Sequence, residues 1–182
     1  MDVGNYGPYT QSQRKNIYNV TDANGIAGNN VYGNRSKFIV EDRRNDISQF
    51  QFNTRASWDS RENLNITGGL LVDMYRGHNF NTVKDLLGGD YWLDIDNYAE
   101  TDYGVGSSQS QNDVNNPNHV AHKGDIIGNN YYAFQQGGTA WATMRYTGKR
   151  YSLYLGGDAR YTSMWRQGLF KKGLFADRKS VV

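Results

Sequence analysis

The sequence predicts an all-β fold built from antiparallel hairpins, and two stretches of unbroken alternation carry that expectation. Residues 49–58 place Phe50, Phe52, Thr54, Ala56 and Trp58 on one side and Gln49, Gln51, Asn53, Arg55 and Ser57 on the other. Residues 151–161 repeat the pattern, with Tyr151, Leu153, Leu155, Gly157, Ala159 and Tyr161 alternating against Ser152, Tyr154, Gly156, Asp158 and Arg160. Successive side chains of a strand point to opposite faces, so each stretch has one apolar and one polar face. A third observation bounds the alternatives: no run of 18 apolar residues exists, so no transmembrane helix is expected.

The elements follow in order. Residues 1–35 are rich in Asn, Gly and Tyr without lasting periodicity and read as loop. A first strand is expected over about 36–58, interrupted by the charged run Glu41-Asp42-Arg43-Arg44-Asn45-Asp46. After a turn at 59–62, Leu64, Ile66, Gly68, Leu70, Val72 and Met74 alternate with their neighbours and give a second strand over about 63–76. Alternation fades from about 77 to 127, where Gly88-Gly89 and Asn115-Asn116-Pro117-Asn118 mark a long loop. It resumes over about 128–146 and again over 151–166. The turn between them, Thr147-Gly148-Lys149-Arg150, suits a type II′ hairpin with Gly148 at the first central position.

Composition narrows the setting. Hydrophobic residues make up only 37% of the 182, while aromatics reach 14%, with 14 Tyr against 7 Phe and 4 Trp. Mean hydropathy is -0.79. Low hydropathy with abundant Tyr and Trp fits strands greased on alternate residues, as in outer-membrane barrels with aromatic girdles, and it equally fits a sugar-binding surface. Twenty basic residues nearly balance 18 acidic ones, so there is no electrostatic case for nucleic acid. Without cysteine there is no disulfide framework, thiolate site or Cys nucleophile. The opening Met1-Asp2-Val3-Gly4-Asn5 lacks the basic start and apolar stretch of a signal peptide.

Geometry favours a membrane. Ten steps from Tyr151 to Tyr161 cover about 33 Å, which a tilt of about 40° projects to about 25 Å, the height of the apolar band between aromatic girdles. Trp58, Tyr146 and Tyr151 flank the short turns, where one girdle belongs, although ordinary cross-strand aromatic pairing explains them too. Tight turns on one side and long loops on the other are the asymmetry of a transmembrane β-barrel with long extracellular loops. On this expectation Asn53, Arg55, Asp73, Arg145, Asp158 and Arg160 line the lumen, while Phe50, Phe52, Leu153 and Leu155 face lipid.

The loop carries a resemblance. Lys84-Asp85-Leu86-Leu87-Gly88-Gly89-Asp90-Tyr91-Trp92-Leu93-Asp94-Ile95-Asp96, then Ala99-Glu100, then Gln111 to Asn118, then Lys123-Gly124-Asp125, resembles TonB-dependent receptors of the Bacteroidota kind. The flanks agree: Ser36-Lys37-Phe38, Phe50 to Thr54, Thr162 to Arg166, and Lys172-Gly173-Leu174-Phe175. The similarity spans roughly residues 14–177. The glycine–aspartate loop is its more specific part. It implies an outer-membrane barrel of about 22 strands with an N-terminal plug, importing a ligand with energy delivered through TonB. Nothing here matches a plug or TonB box, and the chain departs from the pattern after Asp177. The expectation is an internal fragment supplying about four strands. Its partners would be the remainder of the barrel and plug, outer-membrane lipid, and TonB through the missing N-terminal part. A soluble β-sandwich that binds glycans is the alternative.

Candidate chemistry is sparse. Tyr91, Trp92, Tyr98 and Tyr103 are the candidate ligand-binding aromatics of the loop, a platform for a sugar or peptide, and packing of the loop on itself explains them as well. His119 and His122 lack a third metal ligand nearby, and Asp90, Asp94, Asp96 and Asp102 do not match a calcium loop. No paired acids or nucleophile–base arrangement points to an enzyme, and no cofactor or metal is expected.

Overall fold

The computed structural model describes residues 17–60, 63–104 and 106–175. Among these residues lie eight strands: β1 Ile17–Val20, β2 Val31–Asn34, β3 Val40–Ser60, β4 Leu64–Asp85, β5 Trp92–Leu93, β6 Val120–Ala121, β7 Ile126–Thr147 and β8 Ser152–Gly168. Among the described residues one α-helix, α1, spans Asn97–Tyr103. The fold is all-β and mostly antiparallel, as the alternation predicts. The long strands form an open sheet in the order β3-β4-β7-β8, with β3 and β8 at its edges. Thr147 donates its amide to the carbonyl of Asn63 (2.8 Å) and Val83 donates to Asp125 (3.0 Å), which sets β7 antiparallel to β4.

Several boundaries differ from expectation. β4 continues past residue 76 to Asp85. Alternation breaks in this stretch because Phe80 and Val83, of opposite parity, are both buried. The stretches expected as loop carry structure of their own: β1, β2, β5, α1 and β6 all lie in them. In the last hairpin Gly148 donates to the carbonyl of Tyr151 (2.8 Å), so Lys149 and Arg150 are the central pair. Gly148 has no positive φ, and the expected type II′ turn does not form. The tip of the 59–62 turn, residues 1–16 and the divergent end after Asp177 lie outside the described residues.

The chain divides into two compact units, and the long strands contribute to both. Every buried hydrophobic side chain among the described residues belongs to the first unit, which takes in residues up to 46, 78–132 and 167 onward. The first unit contains two small cores. Val20, Ala23, Tyr91, Leu93, Ile95 and Val120 form one; Val83, Ala121 and Ile127 form the other, with Ile39, Leu86 and Trp92 against it. The β5–β6 pair separates them: Leu93 lies opposite Val120 and serves the first core, while Trp92 lies opposite Ala121 and serves the second. The antiparallel β1–β2 hairpin adds Val20 and, half-buried, Tyr18 and Val31.

The second unit, residues 47–77 and 133–166 among those described, is made of strand segments and their short turns. Among the described residues no core cluster lies within it. Phe50, Phe52, Leu153 and Leu155 are 59%, 53%, 46% and 54% exposed. Phe134 stacks on Trp165 at 5.1 Å, and Tyr146 meets Tyr151 at 5.9 Å across the hairpin.

Candidate functional site

Two surfaces are candidates: the loop assembly of the first unit and the two-faced sheet of the second. In the first, the glycine–aspartate turn is the organising piece. Leu87 and Gly88 have φ of 52° and 89°, which folds the chain back on itself. A left-handed Leu costs on the order of 1 kcal/mol or more, so surrounding contacts must hold it. They do: Asp90 donates its amide to the carbonyl of Asn34 (2.8 Å), while its Oδ2 accepts the amide of Asn34 (2.7 Å). Gly89 lies so close to Ser36 that any Cβ there would strike its Oγ. Ser36 in turn donates its hydroxyl to the carbonyl of Leu86 (2.8 Å). The motif that carries the resemblance therefore acts locally as a dock onto the end of β2 and the segment after it.

This docking decides the fate of the four aromatic candidates. Tyr91 is 1% exposed, and its hydroxyl donates to the carbonyl of Tyr18 at 3.1 Å. Burial pushes that hydroxyl above the usual tyrosine range, with nearby Arg35 opposing the shift. Trp92 is half-buried against the second core. Only Tyr98, 88% exposed, and Tyr103 remain on the surface. The four do not form one platform. Tyr98 and Tyr103 are five positions apart on α1, about 140° around its axis.

Helix α1 has its own local logic. Asp96 caps it, its Oδ1 accepting the amides of Tyr98 (3.0 Å) and Ala99 (3.2 Å). Gly104, at φ 93°, ends it. Glu100 reaches Arg35 at 3.9 Å, and the Arg35 guanidinium lies over the Tyr18 ring.

The least expected feature is a buried polar cluster around Asp94. Its Oδ1 accepts from the Asn112 side chain (2.7 Å), and both carboxylate oxygens accept from the amide of Gly128 (3.0 and 3.1 Å). His119 Nδ1 lies 3.6 Å from Oδ2. Lys172 donates its ammonium to Asn112 Oδ1 at 2.7 Å. Burial holds the Lys172 amine below its usual pKa, with Asp94 and then Asp96 opposing that shift. The candidate calcium and histidine ligands are therefore dispersed. Asp90 serves the glycine turn, Asp94 this cluster and Asp96 the helix cap. His122 faces Asp125 rather than His119's partner. Among the described residues no group of three metal-binding side chains is gathered. In sequence, the only trace of the cluster is the Asp-rich run 90–96.

In the second unit, Asn53, Arg55, Arg145, Asp158 and Arg160 are exposed and Asp73 is half-buried. Each alternates with the apolar set on its strand, so all six occupy positions of the polar face. The ion pairs among the described residues join none of them to another. Asp73 instead lies over Gly137, where a Cβ would come within 2.9 Å of its Oδ1. The same face carries a ladder that alternation alone does not reveal. Asn65 donates to Ser57 Oγ (3.1 Å) and also to Asp59, and the Ser57 and Thr67 hydroxyls share a hydrogen bond of 2.9 Å. The Trp141 ring covers Gly69 on that face, in space that a Cβ would fill.

No protein-family model matches the chain, and no curated protein matches it.

Proposed function

We propose that this chain forms part of an outer-membrane β-barrel receptor of the TonB-dependent kind and takes part in energy-coupled import of a ligand. The single observation that supports this most is the two-faced character of the second unit. Apolar Phe50, Phe52, Leu70, Met74, Leu153 and Leu155 are all exposed, on strands whose alternate positions carry charge and amide groups. Water is a poor solvent for such a face, whereas the hydrocarbon of a bilayer suits it. Backbone polar groups in hydrocarbon must be paired within the sheet, and long antiparallel strands do that. Unpaired edges at β3 and β8 are what neighbouring strands of a barrel would cover. The packed first unit supplies the folded outer loops, with Tyr98 and Tyr103 the two of the four candidate aromatics left on the surface to meet a ligand.

The soluble glycan-binding sandwich draws less support, because it needs a second layer burying Phe50, Phe52, Leu153 and Leu155. Substitution tests the proposal. Leu155→Arg on the apolar face should reduce insertion into phosphatidylethanolamine–phosphatidylglycerol vesicles by an amount equivalent to about 2–4 kcal/mol at mid-bilayer. Asp158→Asn on the opposite face should leave insertion unchanged. Equal tolerance at both positions argues against a lipid-facing surface.

A further inference from the structure

The segment that follows β8 runs alongside the loop 111–114 and is tied to it through Lys171, Lys172 and Gly173. Leu169 and Phe170 both donate to the carbonyl of Asn130 (2.9 and 3.3 Å). Lys171 then donates its amide to Asp113 Oδ1 (3.1 Å) and accepts from the amide of Val114 (2.8 Å). Lys172 reaches inward to Asn112, and Gly173 donates to the carbonyl of Gln111 (2.9 Å). A Cβ on Gly173 would collide with the carbonyl oxygen of Ser108. The turn Gly173–Phe175 packs on the turn Ser108–Ser110, which packs on α1.

The materials of this contact are unusual for a permanent one. No residue of 169–175 is buried, and Phe170, Lys172 and Gly173 are half-buried. Beneath it lie three consecutive buried polar residues, Ser110, Gln111 and Asn112, which water can solvate once uncovered. A segment with no buried residue of its own, lying on polar side chains, belongs to the low-stability end of a structure and opens locally.

We propose that residues 169–175 form a releasable strap that holds the loop 107–114 and helix α1 in place, fastened at Lys172 and Gly173. The inference stands on the first unit alone and does not depend on the membrane reading. Release uncovers Gln111, Asn112 and the Asp94 cluster. It also frees α1, with its exposed Tyr98 and Tyr103, while the β5–β6 pair stays held by its two cores.

Peptide-resolved hydrogen exchange on the full chain tests this. Gly173→Ala should speed exchange in 97–103, 107–114 and 169–175 together by about tenfold, with β5, β6 and the β1–β2 hairpin unchanged. Acceleration confined to 169–175, or none at all, overturns the proposal. Should Gly173→Ala also speed exchange across β4 and β7, Lys172→Met decides. Joint acceleration of the same three segments without that spread upholds the strap, and an unchanged loop overturns it.

Discussion

The Asp94 carboxylate takes the amide of Gly128 between its two oxygens, at 3.0 and 3.1 Å, and so ties the start of β7 to the loop that follows β5. Gly128 has φ 65°, a conformation that favours glycine, and this aims its N–H away from the ladder and toward the carboxylate. Asp94→Ala leaves that amide and the Asn112 side chain without their acceptor inside the protein. The expected cost is about 2 kcal/mol, read as roughly a thirtyfold faster exchange of the amides in 120–128. An unchanged exchange rate there would mean that water replaces the carboxylate at no cost.

Tyr91 makes a second prediction, with a pH signature. Its folded-state pKa lies above the ordinary 10.0, chiefly because burial penalises the phenolate. A raised pKa contributes stability that is fully present below 10.0 and is lost as pH rises through the folded value. Absorbance titration should show one tyrosine ionising late, together with loss of the first unit's structure. Tyr91→Phe should remove the late step and cost about 1 kcal/mol through the lost bond to Tyr18. Tyr91→Ala should cost about 3 kcal/mol or more by leaving a cavity.

Lys172 carries the opposite sign. Its amine is held below the usual value of 10.5 by burial, against the opposing pull of Asp94 and Asp96. Between the folded value and 10.5 the released state binds more protons than the docked one, so docking strengthens as pH rises through that window. After correction for the intrinsic pH dependence of exchange, protection of 169–175 should therefore grow as pH rises toward 10.5 and stay flat in Lys172→Met. A decline with pH in the wild type would contradict the desolvated site.

Asp96 is the cap of α1, and Asp96→Ala removes the acceptor for two amides. The helix should lose about 1 kcal/mol of local stability, and exchange at Tyr98 and Ala99 should rise first. Asp96→Asn keeps an acceptor oxygen and should lose less.

The long strands were legible in the sequence because one hydropathy period repeats over ten residues at a time, as at Phe50–Trp58 and Leu153–Ala159. The first unit was not, for physical reasons that individual residues display. Its first core joins Val20 and Ala23 to Leu93, Ile95 and Val120 across long stretches of chain, and β5 and β6 are two residues each, too short for any period. Its loops are held by side chains that look like solvated polar residues, such as Asn24, whose Oδ1 accepts the Val120 amide at 2.9 Å. Helix α1 did leave a signal, Asp96 before the helix and Gly104 after it, which a search for alternation does not register. Tyr91 and Trp92 leave open a ligand platform or packing of the loop on itself, and the carboxylates of Asp90, Asp94 and Asp96 around them look like solvated groups in sequence. Those carboxylates instead satisfy backbone amides within the fold.

The central claim is that the second unit turns Phe50, Phe52, Leu153 and Leu155 toward hydrocarbon. The chain has no cysteine, so single cysteines can be placed at Phe52, Leu155, Asn53 and Asp158 and labelled uniquely with a fluorophore after incorporation into lipid vesicles. Quenching by acyl-chain nitroxides and by aqueous iodide is then compared site by site. The account predicts strong nitroxide and weak iodide quenching at 52 and 155, and the reverse at 53 and 158. Equal iodide access at all four positions, with no nitroxide quenching at 52 or 155, would contradict it.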